Sequence, residues 1–241
     1  MKNPFLSTMK TIAVSAATTV AVTVASAEPK TLLDHAGARW APARLSAAVL
    51  VIVDAQREYA DGKLPLPGLD AAVGEIATLL GRARAAGTPV IHVVQHGRPG
   101  GAIMDPNGPM VEVLAPLTPQ PGETVVVKHL PNSFAGTTLD EELKRLGRKE
   151  LIVVGFMTHM CVSATVRAAL DHGYRCTMVA AACASRDLPD GRGGVVPAAE
   201  VHRVELAALG DRFAAVVPTA AALPAWAADC AQRAGASPSC P

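Results

Sequence analysis

Short continuous runs of apolar residues alternate along this chain with stretches in which apolar residues recur every three to four positions. Residues 48–53 form an uninterrupted run, Ala-Val-Leu-Val-Ile-Val, typical of a strand buried on both faces of a parallel sheet. Residues 69–86 instead place Ile76 and Leu80 on one helical face, and Gly87 follows as a stop signal. The pattern therefore predicts a buried strand followed by an amphipathic helix.

The same alternation continues through the rest of the chain. Further strands are predicted at 89–94, 124–127, 151–154, 175–180 and 213–217. Further helices are predicted at 139–146, 161–172, 198–209 and 219–231, and the Gly- and Pro-rich residues 97–120 are predicted to form a long loop. Alternating strands and helices indicate an α/β fold, a Rossmann-like three-layer sandwich with a mostly parallel six-stranded sheet and helices on both faces.

Composition narrows the class of partner. The 241 residues suit one α/β domain, and half of them are hydrophobic, enough for a large core. The formal net charge is +1 with acids and bases interspersed, and aromatic residues make up 3%, so neither a nucleic-acid stripe nor a base-stacking platform is indicated. We expect a small-molecule substrate, no nucleic-acid partner and no membrane partner.

The first 27 residues differ from the remainder. A weakly basic start is followed by an uncharged Ala/Val/Thr-rich stretch and by Ala25-Ser26-Ala27, a small-residue pattern typical of signal-peptidase sites. The stretch is too short and too rich in Thr to span a bilayer. We expect a signal peptide at 1–27, a single domain at 28–241, and a periplasmic or secreted protein. The alternative is a disordered extension on a cytoplasmic protein.

The cysteine count is odd, so at least one thiol is free. Cys230 and Cys240 flank a short Gly/Ser/Pro segment and are a candidate disulfide in an oxidising compartment, a pairing that the sequence leaves open. There is no Cys-x-x-Cys, and no Cys/His group has zinc-site spacing.

Three polar residues follow predicted strands. Asp54 follows the first strand, Lys128 follows the third, and Cys161 opens a predicted helix soon after the fourth. Ligands of open α/β sheets bind at the carboxyl ends of strands, so the three are expected to converge. A helix start and a nearby ammonium are expected to lower the thiol pKa, while a carboxylate takes the proton. Singly, each residue has an ordinary alternative as a cap, a solvated lysine or a buried small side chain.

Local sequences around these residues resemble the isochorismatase-like cysteine hydrolase family. Residues 53–56, Val-Asp-Ala-Gln, resemble its strand-end Asp-x-Gln. Residues 128–139, Lys-His-Leu-Pro-Asn-Ser-Phe-Ala-Gly-Thr-Thr-Leu, resemble its lysine segment. Residues 155–162, Gly-Phe-Met-Thr-His-Met-Cys-Val, match its Gly-x-x-Thr-x-x-Cys-Val nucleophile segment. The resemblance spans about 47–218.

The resemblance implies specific roles for these positions. It implies a catalytic triad of Asp54, Lys128 and Cys161, and a cis peptide bond between Phe156 and Met157. It also implies an oxyanion hole formed by the backbone N–H groups of Met157 and Cys161. A homo-oligomer is expected as well, because members of the family commonly form dimers or larger assemblies.

Candidate substrate-binding residues are those next to the triad in sequence, namely Gln56, Tyr59, Phe134 and His159, with Met157 and Met160 as further pocket residues. Nicotinamidase-type members hold a metal through an Asp-x-His pair and further histidines. This chain has His92, His96 and Asp105 in that region but no Asp-x-His. We expect His92 in the core, His96 at the rim, and neither metal nor other cofactor.

The retained cysteine favours cleavage of a C–N bond in an amide, ureide or carbamoyl group through a Cys161 thioester. The alternative reaction is hydrolysis of the vinyl ether of isochorismate. The members that catalyse it generally lack this cysteine, which is why C–N cleavage is favoured here. A redox-sensing thiol or a binding domain on the same fold is the alternative outside catalysis.

Overall fold

A parallel sheet forms the centre of the structure, a computed structural model that describes residues 28–224. The strands in chain order are β1 (Ala48–Val53), β2 (Val90–Gln95), β3 (Thr124–Lys128), β4 (Glu150–Phe156), β5 (Arg175–Ala184), β6 (Leu188–Pro189), β7 (Val195–Val196) and β8 (Ala214–Val217). Six of them form one sheet in the order β3-β2-β1-β4-β5-β8, with all neighbours parallel. β6 and β7 pair separately as a short antiparallel hairpin.

Helices connect the strands. They are α1 (Leu32–His35), α2 (Leu69–Ala85), α3 (Leu139–Leu146), α4 (Ser163–Asp171) and α5 (Ala198–Arg212). A π-helical turn, Thr158–Val162, runs directly into α4. Short 3₁₀ turns lie at Leu45–Ala47, Arg57–Tyr59, Pro109–Val111, Ala115–Leu117 and Ala220–Ala222. No helix among residues 28–224 is long and apolar enough to cross a membrane.

The two faces of the sheet are covered by different helices. Along β1, Leu50 and Ile52 pack with the apolar face of α2, whereas Val49, Val51 and Val53 pack with α3, α4 and α5 on the opposite side. Every residue of β1 is buried, which explains why its sequence is apolar throughout instead of alternating. The expected three-layer α/β fold is confirmed.

The structure corrects two of the helices expected from the sequence, and two further expectations concern residues that it does not describe. The helix expected from 161 begins as an α-helix at Ser163, because the nucleophile segment forms the π-helical turn first. Of the helix expected at 219–231, the described part contains only the 3₁₀ turn Ala220–Ala222. The expected signal peptide at 1–27 and the candidate Cys230–Cys240 disulfide lie outside the described residues.

The strand order reverses between β1 and β4. From β1 the chain builds outward through β2 and β3, and from β4 it builds in the other direction through β5 and β8. Loops leaving the carboxyl ends of β1 and β4 therefore turn to opposite sides and leave a crevice, the usual ligand position in open α/β sheets.

Candidate active site

Three neighbouring strands each place one polar side chain at this crevice. Asp54 directly follows β1, Gln95 is the last residue of β2, and Lys128 is the last residue of β3. Gln95 and Lys128 are aligned partners in the sheet, and Asp54 donates its backbone N–H to the carbonyl of Val93 at 2.8 Å. The sheet register therefore fixes all three backbones relative to one another.

Asp54 and Lys128 form an ion pair that is closed to solvent. The Lys128 Nζ lies 2.8 Å from the Asp54 Oδ2 and donates a 2.6 Å hydrogen bond to the Gln95 Oε1, and the Asp54 and Lys128 side chains are both 0% exposed. Burial raises the pKa of Asp54, and its hydrogen-bond interactions with Lys128 and with the Cys161 thiol oppose that rise. The carboxylate is therefore in contact with both the ammonium and the thiol.

The segment after β4 delivers Cys161 to the same place. The Phe156–Met157 peptide bond is cis, as the resemblance implied, and the chain then enters the π-helical turn that carries Cys161. Gly155 makes this possible, because a Cβ at that position would lie 2.0 Å from the Val53 carbonyl oxygen, and its φ of 117° disfavours other residues. The glycine of the nucleophile motif is therefore a requirement of close packing between β4 and β1.

Two polar contacts hold the turn from outside. The Thr158 Oγ1 lies 2.8 Å from the His202 Nδ1 on α5, and the His159 Nδ1 lies 3.1 Å from the Ser185 Oγ just beyond β5. Because the turn is bonded to two other elements, the position of Cys161 does not depend on α4 alone.

Burial dominates the electrostatics of Cys161. The pKa of the Cys161 thiol is raised to about 12, because desolvation and the charge of Asp54 both raise it and together outweigh the opposing effect of Lys128. Desolvation likewise raises the pKa of Asp54, against the opposing effect of Lys128. The expected lowering of the thiol pKa is wrong, because burial and the adjacent carboxylate outweigh the ammonium and the helix start.

A cavity of about 300 Å³ opens onto Cys161. Polar groups come from Tyr59, Gln95, His129 and Arg186, and the remaining lining residues are largely apolar: Leu64, Gly97, Ile103, Met104, Pro131, Met157 and Met160. Burial raises the pKa of Tyr59, so the hydroxyl is a neutral donor. The cavity fits a small, mostly apolar molecule with a few polar groups.

Of the four expected substrate-binding residues, Tyr59 lines the cavity and three do not. The Gln56 amide is buried and bonds the backbone carbonyls of Gln95 and Val111 at 3.0 and 2.8 Å, while its oxygen accepts from the Gln95 N–H. The Phe134 ring stacks on His172, with centroids 4.6 Å apart. The half-buried His159 faces Ser185.

The histidines near β2 lie in ordinary structural positions. His92 is 1% exposed in the core and pairs with Glu123 at 3.0 Å, as expected of a core residue. His96 lies beside His129 with ring centroids 6.5 Å apart, at the edge of the cavity region. Residues 28–224 contain no cluster of three or more His, Cys, Asp or Glu side chains arranged to hold a metal. The expectation of a metal-free site stays a prediction.

The structure adds cavity residues that sequence reasoning missed. Gln95 ends β2 and Arg186 follows β5, so the same strand-end rule that selected Asp54 and Lys128 applies to both. Arg186 was missed because β5 runs four residues beyond its expected end at 180, through Ala-Ala-Cys-Ala, whose residues have weak strand preference.

Comparison with known proteins places this arrangement in a family. The Isochorismatase domain model matches residues 48–221. A secreted isochorismatase effector of Verticillium dahliae is 42% identical over 171 residues, which cover 70% of this chain and 87% of that protein. A streptothricin hydrolase of Streptomyces noursei is 40% identical over 181 residues, covering 74% and 71%.

A solved structure and a more distant sequence relative indicate the same family. An isochorismatase from Pseudomonas putida KT2440 superposes with a TM-score of 0.78 and 48% sequence identity, covering 81% of this chain and 100% of that one. A more distant relative, the ureidoacrylate amidohydrolase of Variovorax paradoxus, is 27% identical over 217 residues and covers 76% of this chain and 81% of that protein. The fold is the α/β fold of isochorismatase-like hydrolases. The chain belongs to the isochorismatase family.

Proposed function

We propose that the protein hydrolyses a C–N bond in a small amide, ureide or carbamoyl compound through a thioester on Cys161. One observation carries the proposal. Cys161 lines a small cavity beside Asp54 and Lys128, which form a solvent-excluded ion pair. A nucleophile, a proton acceptor and a fixed cation are the minimal set for acyl transfer through sulfur.

The first step is a proton transfer from the thiol to Asp54. Because burial raises the pKa of Cys161 to about 12, the resting nucleophile is a neutral thiol. Burial also raises the pKa of Asp54, which makes this carboxylate a better base than an exposed one. As the sulfur attacks the substrate carbonyl carbon, its proton moves to Asp54, and Lys128 compensates the negative charge throughout.

The remaining steps regenerate both residues. The backbone N–H groups of Met157 and Cys161 stabilise the oxyanion of the tetrahedral intermediate. Asp54 returns its proton to the departing nitrogen as the C–N bond breaks, leaving an acyl or carbamoyl thioester. Asp54 then takes a proton from water, the resulting hydroxide attacks the thioester, and the proton returns to the released sulfur.

The relatives support amide chemistry over the alternatives. The ureidoacrylate amidohydrolase is named for cleavage of an amide-type bond, and the streptothricin hydrolase is also a hydrolase. Vinyl-ether hydrolysis needs no sulfur nucleophile, and Cys161 has no assigned part in it. A redox-sensing thiol is accessible to oxidant and has a low pKa, whereas Cys161 is buried and the pKa of its thiol is raised to about 12.

A screen for ammonia release from nicotinamide, carbamoyl and ureido compounds tests the proposal. Cys161→Ala is expected to abolish turnover of any substrate found. Cys176→Ala is the matched control, because Cys176 is a buried cysteine that pairs with Leu151 at the opposite end of the sheet. Equal loss in both variants, or turnover retained in Cys161→Ala, would contradict the proposal.

We also propose that the protein is exported after cleavage before Glu28 and acts as a homo-oligomer. The export proposal is supported by Ala25-Ser26-Ala27 and by the relative named as secreted. The proposed domain starts its first strand at Ala48, so removal of the first 27 residues leaves the sheet intact. Sedimentation at micromolar concentration measures the number of subunits.

A further inference from the structure

Arg186 follows the carboxyl end of β5 and lines the same cavity as Cys161. Its charge acts on two neighbours: it opposes the raised pKa of the Tyr59 hydroxyl and adds to the lowering of the pKa of His159 that burial causes. The guanidinium therefore lies among the groups around the nucleophile, at a position for which the reaction described above has no use.

The hydrogen bonds of Arg186 are incomplete. Its Nη1 donates to the carbonyl oxygen of Asp187 at 3.0 Å, and its buried Nε has no hydrogen-bond partner among the described residues. A buried N–H without an acceptor is energetically costly, so such groups normally find one. An acceptor brought by a ligand would satisfy it.

The charge of Arg186 is also unpaired. No ion pair within residues 28–224 includes Arg186. The adjacent Asp187 carboxylate is committed elsewhere, because its Oδ1 accepts the Ala198 N–H at the start of α5, at 2.7 Å. The nearest carboxylate in sequence therefore caps a helix instead of neutralising the arginine.

Nothing else in the cavity wall supplies negative charge. Among the described residues that line it there is no Asp or Glu, whereas Arg186 and His129 are both present. Asp54 lies behind the wall, where its charge is balanced by Lys128 at 2.8 Å. A neutral substrate would leave an uncompensated cation in a mostly apolar cavity, and an anionic substrate would compensate it.

We propose that Arg186 binds a carboxylate of the substrate, so that the substrate class is a small carboxylic acid bearing an amide, ureido or carbamoyl group. The planar guanidinium matches the geometry of a carboxylate and can bind both of its oxygens. The Tyr59 hydroxyl is a further donor to the same molecule. The cavity of about 300 Å³ restricts the acid to a small one. This inference rests on the proposed function for the identity of the bond that is cleaved.

A pair of electrophiles tests the proposal without knowledge of the substrate. Iodoacetate and iodoacetamide both alkylate a thiol with loss of iodide, and they are nearly the same size, but only iodoacetate carries a carboxylate. The rate constant of iodoacetate at Cys161 is divided by that of iodoacetamide, and this ratio is then divided by the same ratio for glutathione. A charge-assisted pair with Arg186 predicts a normalised ratio of about ten or more in the wild-type protein.

Variants assign the preference to Arg186. Arg186→Met is expected to reduce the normalised ratio to about one, and Arg186→Lys to retain part of it because the charge remains. Arg192→Met is the matched control, because Arg192 is an exposed arginine of the same β5–α5 connection that does not line the cavity, and the ratio should persist.

The contradicting results are equally specific. A normalised ratio near one in the wild-type protein, or an equal loss in Arg186→Met and Arg192→Met, would overturn the carboxylate site. If Arg186→Met fails to fold, the normalised ratios of the wild-type protein and of Arg186→Lys decide whether Arg186 binds a carboxylate. Alkylation needs no hydrolysis, so absence of anion preference leaves C–N cleavage standing, and absence of turnover leaves the carboxylate site standing.

Discussion

Lys128 and Asp54 are in direct ionic contact, with 2.8 Å between Nζ and Oδ2 and both side chains fully closed to solvent. Removing one partner of such a pair leaves an uncompensated charge and is strongly destabilising, whereas the intact pair is tolerated. Here the pair also has a chemical consequence, because the ammonium determines at which pH the Asp54 carboxylate is available as a base.

Lys128→Met is expected to move the acid limb of the pH–rate profile upward. Burial raises the pKa of Asp54 and Lys128 lowers it, so loss of the ammonium raises this pKa further and leaves less of the carboxylate ionised at a given pH. We expect kcat/KM at pH 7 to fall by about 10²-fold or more, with partial recovery at higher pH. Lys144→Met, at an exposed lysine paired with Asp140, should leave the profile unchanged. An unshifted acid limb in Lys128→Met would show that Lys128 does not tune Asp54.

Gln56→Leu is expected to destabilise the fold. The Gln56 amide makes three hydrogen bonds to the backbone of Gln95 and Val111, and its loss leaves buried backbone groups without partners. We expect the free energy of unfolding in urea to fall by about 2–4 kcal/mol. Gln120→Leu, at an exposed glutamine, is the control. Unchanged stability with a raised KM would instead restore the expected substrate-binding role of Gln56.

Glu123→Gln is expected to reveal an acid-dependent contribution to stability. Hydrogen bonds from Arg84 are the main cause that lowers the pKa of Glu123 from 4.5 to about 2. Because the folded-state pKa is depressed, this stabilisation is fully present above pH 4.5 and is lost as the pH falls toward 2. The stability difference between wild type and variant should therefore be constant above pH 5 and shrink below 4.5. Glu141→Gln, at an exposed carboxylate, should show no such trend, and a pH-independent difference for Glu123→Gln would contradict the account.

Export predicts a mature N-terminus at Glu28. Protein isolated from its native host should have the mass of residues 28–241 and be found outside the cytoplasm. If Cys230 and Cys240 pair there, denatured, non-reduced protein should have three titratable thiols, and reduction should expose two more. A cytoplasmic protein that retains residues 1–27 would contradict export and leave the catalytic account unaffected.

The sheet was predictable because its centre is apolar in sequence. Residues 48–53 were expected as a strand and form β1 with the same bounds, since strands covered on both faces must be apolar at every position. The β6–β7 hairpin was not expected, because two residues per strand show no periodicity.

The cluster of Asp54, Lys128 and Cys161 was predictable from strand ends, and the cavity wall was not. Parallel strands bring Asp54 and Lys128 to the same edge of the sheet, and this does not depend on the conformation of the loops. Gln56 is adjacent to Asp54 in sequence, but its side chain turns toward carbonyls of Gln95 and Val111, far along the chain. The direction of the thiol pKa was wrong for a related reason: helix position is visible in sequence, whereas burial beside a carboxylate depends on tertiary packing.

The most direct test of the central claim is an acid quench of the enzyme during turnover of a substrate, followed by intact-mass and peptide analysis. The account predicts a covalent acyl or carbamoyl adduct on the peptide that contains Cys161, absent in Cys161→Ala and unchanged in Cys176→Ala. Sustained turnover with no adduct on Cys161, together with wild-type kcat in Cys161→Ala, would contradict a thioester mechanism.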